Sequence, residues 1–118
     1  MMKRNDGAEN PAYGRIWSVI AAIPAGTVLG YGQVADLAGL PGRARMVARA
    51  LREAPDALQL PWHRVLRADG RIAFAPGDPR GEEQRRRLLA EGVVFNGRRV
   101  APDAIAPERL LDFKFWGP

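Results

Sequence analysis

Two groups of residues in this chain have types and spacings that could do chemistry. The first is the run Pro61-Trp62-His63-Arg64-Val65, which sets a tryptophan beside the only histidine of the sequence. One reading makes this a reactive or binding loop leading into a strand. The other makes it structural, a buried indole anchoring a hairpin while a neighbour satisfies His63. The second group is Arg45, Arg49 and Arg52, spaced i, i+4, i+7 on a predicted helix, with Met46, Val47, Ala50 and Leu51 on the opposite face. Such a stripe can be a solvated charged face. Because it is purely basic, with only Glu53 nearby, and follows a turn between two short helices, it is read as a phosphate-facing recognition helix.

Composition narrows the chemistry further. The sequence contains no cysteine, so it offers no thiolate nucleophile, no disulfide and no sulfur ligand for zinc. A single histidine excludes a histidine-based metal site, and no metal or cofactor is expected. The 118 residues carry 18 Lys plus Arg against 13 Asp plus Glu, a net charge of +5. That surplus on a small body favours a polyanionic partner, nucleic acid first. Arginine's dominance among the cations is also what a GC-rich genome produces, so charge alone does not decide.

The elements that must position these groups can be read along the chain. Residues 1–9 read as a flexible tail, and 10–118 as one domain. Asn10 and Pro11 are N-cap and first-turn signals for a helix carrying Tyr13, Ile16, Trp17 and Ile20 at helical spacing and stopping at Pro24. A short extended link leads to a helix from Tyr31 to Ala38, a turn at Leu40-Pro41-Gly42, and a third helix from about Arg43 to Glu53: a helix-turn-helix pattern. Asp69-Gly70 predicts a hairpin between Arg64–Leu66 and Arg71–Phe74. Asp78-Pro79 opens a helix to about Ala90, supported by Glu82–Arg86 and Glu83–Arg87 pairs and ended by Gly92. Residues 93–100 predict a second hairpin, and an aromatic tail runs from Leu110 to Pro118. The expected class is mainly α, a winged helix-turn-helix-like domain with short β-hairpins. The uncharged stretch from Ile16 to Ala35 is broken by Pro24, Gly26, Gly30 and Gly32, so no membrane span is read. No apolar leader precedes it, and a cytoplasmic protein, nucleoid-associated if bacterial, is expected.

In order along the chain, Ile23-Pro24-Ala25-Gly26-Thr27-Val28, Tyr31-Gly32-Gln33-Val34-Ala35, Ala38-Gly39, Ala44-Arg45-Met46-Val47 and Ala50-Leu51-Arg52 resemble the DNA-binding domain of O6-alkylguanine-DNA alkyltransferases. Pro61-Trp62-His63-Arg64-Val65 resembles their active-site signature, with Trp62 where those enzymes carry the alkyl-accepting cysteine, and Leu88–Gly92 resembles their later helix ending in Glu-Gly. The likeness covers roughly residues 12–95. Tryptophan at that position and the ending Phe115-Trp116-Gly117-Pro118 look like the alkyltransferase-like proteins, which bind alkylated guanine without repairing it.

That resemblance implies a set of roles. Arg45 would enter the stack vacated by a flipped nucleotide, Tyr31 would press on the adjacent phosphate, and Arg49 and Arg52 would hold phosphates. Tyr31, Pro61, Trp62, His63, Ala75 and Pro76 would form the lesion-base pocket, with Ala75-Pro76 making it roomier than the family's Tyr-Ser pair. His63 and Glu91 would remain as a structural pair with no thiol to activate. Arg80 or Arg71 could substitute for an arginine that some of these proteins place near Ala75 to sense the lesion. The expected partner is double-stranded DNA containing O6-alkylguanine, bound by a monomer that marks the lesion for nucleotide excision repair proteins. Two competing readings are a sequence-specific winged helix-turn-helix regulator and an enzyme using His63 and Glu91 as an acid–base pair, the latter without nucleophile, metal motif or phosphate-binding loop.

Overall fold

The computed structural model describes residues 10–105. The expected N-terminal tail and the aromatic run from Leu110 lie outside the described residues. Four helices and four two-residue strands follow one another: α1 (Pro11–Ala21), β1 (Leu29–Gly30), α2 (Tyr31–Leu37), α3 (Ala44–Arg52), β2 (Val65–Leu66), α4 (Pro79–Ala90), β3 (Phe95–Asn96) and β4 (Arg99–Val100). The domain is mainly helical, with a helix-turn-helix at α2–α3. Among the described residues, no helix is long and apolar enough to cross a membrane.

Capping chemistry sets the helix starts. The Asn10 side chain accepts from the Ala12 amide at 2.9 Å, and Asp78 does the same for the Arg80 amide at 2.9 Å, each with a proline opening the first turn. Along α4, Glu83 pairs with both Arg86 and Arg87. The expected Glu82–Arg86 pair does not form, because Glu83 takes Arg86 instead.

Two apolar cores lie on either side of a minimal parallel ladder. Ile16, Ile20 and Ile23, from α1 and the turn after it, pack with Val34 and Ala35 of α2, Val47 and Ala50 of α3, and Leu29 and Val65. The second core joins Val28, Leu66, Leu88, Val93, Val100 and Ala104. Leu29 pairs with Val65 and Gly30 with Leu66. Because side chains alternate along a strand, Val65 enters the first core and Leu66 the second. Two side-chain donors fasten α1 to the helix-turn-helix: Trp17 Nε1 to the Ala50 carbonyl at 2.9 Å and Arg15 Nε to the Ala38 carbonyl at 3.0 Å.

This ladder corrects the first predicted hairpin. The Asp69-Gly70 turn forms, closed by the Arg67 amide on the Arg71 carbonyl at 2.9 Å. Beyond it Val65–Leu66 pairs with β1, and Arg71 instead bridges antiparallel to Arg99. The apolar pair Val65-Leu66 gains more from lying between two cores than from an exposed two-stranded ribbon. The second hairpin does form: Phe95 faces Val100 and Asn96 faces Arg99 across Gly97-Arg98, with Gly97 at φ +67°.

Gly30 is the tightest point of this arrangement. A Cβ there would lie 3.2 Å from the Ala68 Cα, at a position with an ordinary φ of −79°. Gly30→Ala is therefore expected to lower stability by about 1–2 kcal/mol through overpacking against backbone. Denaturant midpoints of the two proteins measure it; equal midpoints would show that the Ala68 segment yields freely.

Candidate nucleic-acid interface

The sequence around His63 folds as a single 3-10 turn, Trp62–Arg64, because several partners seize it at once. His63 is buried, and its Nε2 lies 2.8 Å from Glu91 Oε2. A carboxylate only accepts, so Nε2 carries the proton. Nδ1 is buried without a hydrogen-bond partner among the described residues. Arg64 grips the same carboxylate through Nε at 3.1 Å and Nη2 at 2.6 Å, and its Nη1 donates to the Ile23 carbonyl at 2.7 Å. The Gly26 amide donates to Glu91 Oε1 at 3.0 Å. Burial alone would raise the Glu91 carboxyl; the hydrogen bonds from Arg64, His63 and Gly26 outweigh it and hold the pKa at about 2.

Gln84 completes the mount. It is buried on α4, and its Nε2 donates to the carbonyls of His63 at 3.1 Å and Val65 at 3.0 Å. Sequence reading missed this residue. Its signal was an uncharged amide four residues before buried Leu88, inside the otherwise charged run Glu82–Arg87.

Held this way, Trp62 projects between two clefts. On one side, a cleft of about 520 Å³ is lined by Tyr31, Leu51, Arg52, Trp62, Phe74 and Arg80 among others. On the other, about 490 Å³ is lined by residues that include Leu51, Pro55, Gln59, Trp62 and Arg87. The indole meets Phe74 edge-on, with centroids 6.4 Å apart and planes at 87°. The Arg80 guanidinium sits 4.6 Å above the Phe74 ring, and Arg87 lies 5.4 Å above the indole. Burial raises the Tyr31 phenol above its ordinary range, opposed by nearby Arg52, so its O–H remains a donor.

The structure thus brings Tyr31, Trp62 and Arg52 to one cleft. Pro61 and His63 do not line it, since His63 turns inward to Glu91. Ala75 and Pro76 line a separate narrow cleft of about 40 Å³ beside Arg85 and Arg98. Phe74 and Arg80 take the places expected of Ala75 and Pro76, because the 73–80 segment turns Phe74 rather than its successors toward Trp62. Arg71 lies elsewhere, beside Asp69 and Arg99. Arg45 and Arg49 are exposed and share a concavity with Arg43, a third cation one residue before the helix that sequence reading did not single out. The first turn of α3 contains no acidic residue, so this helix end is electropositive from both its amides and its side chains.

Residues 11–93 match the family model described as the 6-O-methylguanine DNA methyltransferase DNA-binding domain. The chain is 47% identical over 83 residues to the DNA base-flipping protein of Escherichia coli K12, a stretch covering 70% of this chain and 63% of that protein. The chain thus spans less than two thirds of that relative. It is 33% identical over 81 residues to alkyltransferase-like protein 1 of Schizosaccharomyces pombe, 69% of this chain and 75% of that one. The crystal structure of the S. pombe alkyltransferase-like protein with damaged DNA containing O6-carboxymethylguanine superposes with a TM-score of 0.69 at 27% identity, covering 89% of this chain and 99% of that chain.

The depressed Glu91 pKa has a stability consequence with a definite sign. Its contribution is complete above the ordinary carboxylate value of 4.5 and is lost as pH falls toward about 2. Glu91→Gln should be less stable than wild type at pH 7 by roughly 3 kcal/mol, with the gap narrowing between those pH values. Denaturation at a series of pH values checks this; a gap independent of pH would refute it.

Proposed function

The chain belongs to the family of the 6-O-methylguanine DNA methyltransferase DNA-binding domain, and from that premise we propose that it recognises O6-alkylguanine in duplex DNA without repairing it. The observation that carries this reading is Trp62 on the wall of a cleft beside Tyr31, in a chain with no cysteine. A base inside the stack exposes too little of itself to be inspected, so the nucleotide is extruded, at a cost of a few kcal/mol that a weakened pair reduces. Arg45, exposed at the start of α3, fills the vacated space, where a planar guanidinium can both stack and hydrogen-bond. Tyr31 contacts the phosphate beside the flipped nucleotide with its retained O–H. Arg43 and Arg49 add sequence-independent backbone contacts.

The cleft volume falls within the range of about 300–1,000 Å³ in which small-ligand sites lie. Trp62 and Phe74 supply flat apolar walls to the base and its alkyl group, and neither can accept that group. Arg80, stacked on Phe74 at the cleft, is better placed than Arg71 to meet the π face of a flipped guanine. The bound complex, formed by a monomer in the cytoplasm, then marks the lesion for nucleotide excision repair proteins.

The test titrates the protein into matched duplexes carrying O6-methylguanine or guanine at one position, with the methyl group followed throughout. Preferential binding to the lesion, with the methyl group retained, is expected. Arg45→Ala should lose at least tenfold in lesion affinity while keeping its fold, because the side chain is exposed. Equal affinity for both duplexes would favour the sequence-specific regulator, and wild-type lesion affinity in Arg45→Ala would remove the finger role.

A further inference from the structure

A second basic surface lies away from α3. The turn after β2 and the β3–β4 hairpin bring Arg67, Arg71, Arg98 and Arg99 to one end of the second core. Arg71 bridges antiparallel to Arg99, and the Val100 amide donates to the Gly70 carbonyl at 3.0 Å. Arg71, Arg98 and Arg99 line a common concavity of about 570 Å³. Among the described residues, Asp69 is the one carboxylate within ion-pair distance of the four, at 3.8 Å from Arg67 and 3.9 Å from Arg71. Four guanidinium groups against one carboxylate leave a strong positive field. The Arg71 amide first, opposed by burial and aided by the charges of Arg67, Arg71 and Arg99, holds the Asp69 carboxyl below its ordinary value.

Position gives this surface a direction. The Ala68 Cα lies 3.2 Å from where a Cβ on Gly30 would stand, and Gly30 caps the helix that begins with Tyr31. The arginine turn therefore abuts the end of α2 that forms the cleft wall. We propose that Arg71, Arg98 and Arg99 form a second DNA-binding site, gripping the sugar–phosphate backbone of the same duplex beyond the flipped nucleotide. The proposal rests on the lesion-binding reading for its partner, but adds residues and a phosphate site to it. Exposed guanidinium groups at and beside a two-residue hairpin turn suit this task, because each can take a phosphate through paired N–H donors. Phosphate contacts of this kind carry no base information, so the site adds affinity and orientation and leaves lesion discrimination to the cleft.

The experiment measures binding of wild type and Arg71→Ala/Arg98→Ala/Arg99→Ala to fluorescent duplexes with O6-methylguanine or its guanine match, across a range of salt concentrations. Each lost phosphate contact should lower the slope of log K against log salt by about 0.9, so the triple variant should lose roughly two to three. The loss should be equal for both duplexes, with the lesion-to-guanine ratio unchanged. Replacing the same three by lysine should restore most of the slope. Arg98→Glu, an exposed substitution in the hairpin turn, tests the surface independently of the triple variant's folding, and should reduce the slope by at least one contact's worth. An unchanged slope in Arg98→Glu and in the triple variant overturns the proposal, and would leave the patch to an acidic protein partner. Slope loss in a protein without lesion preference would keep this phosphate site while removing the lesion reading. Lesion preference with an unchanged slope would do the reverse.

Discussion

Everything around the candidate site hangs on the Glu91 carboxylate. Its two oxygens accept from the Gly26 amide, from His63 and from both Nε and Nη2 of Arg64. Through Arg64 Nη1 the network reaches the Ile23 carbonyl after α1. One carboxylate at the end of α4 thereby joins the entry to β1, the Trp62–Arg64 turn and the last long helix. A charge drawn out of water is costly unless several donors meet it, and this partly buried one is met by four. The chain has no thiol beside His63 and Glu91, and their hydrogen bond has a mechanical task.

That task is to aim Trp62. The His63–Glu91 contact pulls one neighbour of the indole inward, and Gln84 holds the carbonyls of His63 and Val65 from α4. The indole is left between two clefts, edge-on to Phe74 and beneath Arg87. Orientation here comes from polar contacts on the backbone and on residues next to the tryptophan, since the ring itself has one hydrogen-bonding group. The helix-turn-helix is fixed separately, through Trp17 and Arg15 reaching from α1 to carbonyls at the ends of α3 and α2. The basic face of α3 and the Trp62 cleft are therefore mounted on different supports and meet at Leu51 and Arg52.

Local signals carried the helices well. Asn10-Pro11 and Asp78-Pro79 cap where their side chains reach the next free amides, and the alternation of arginine with Val47 and Ala50 put one face of α3 in solvent. The Asp69-Gly70 turn was equally legible, but what its flanks pair with was not. Val65 and Leu66 find Leu29 and Gly30 because two cores meet there, and nothing within ten residues of Val65 records that. The same holds for the cleft: Phe74 and Arg80 line it where Ala75 and Pro76 were expected, because the path of the 73–80 loop depends on Gly81 packing under Phe74 and Ile72.

The sequence by itself determined the chemistry that is possible: an arginine-lined helix, one histidine beside a tryptophan, and no thiol. These follow from residue types and short-range periodicity, which a linear reading preserves. Only the tertiary structure decided which groups share a site. It turned His63 into the core, brought Tyr31 to Trp62, and gathered Arg71, Arg98 and Arg99 on a hairpin face. Those placements result from burying two apolar cores around one ladder and satisfying one partly buried carboxylate, and both constraints act between residues dozens of positions apart.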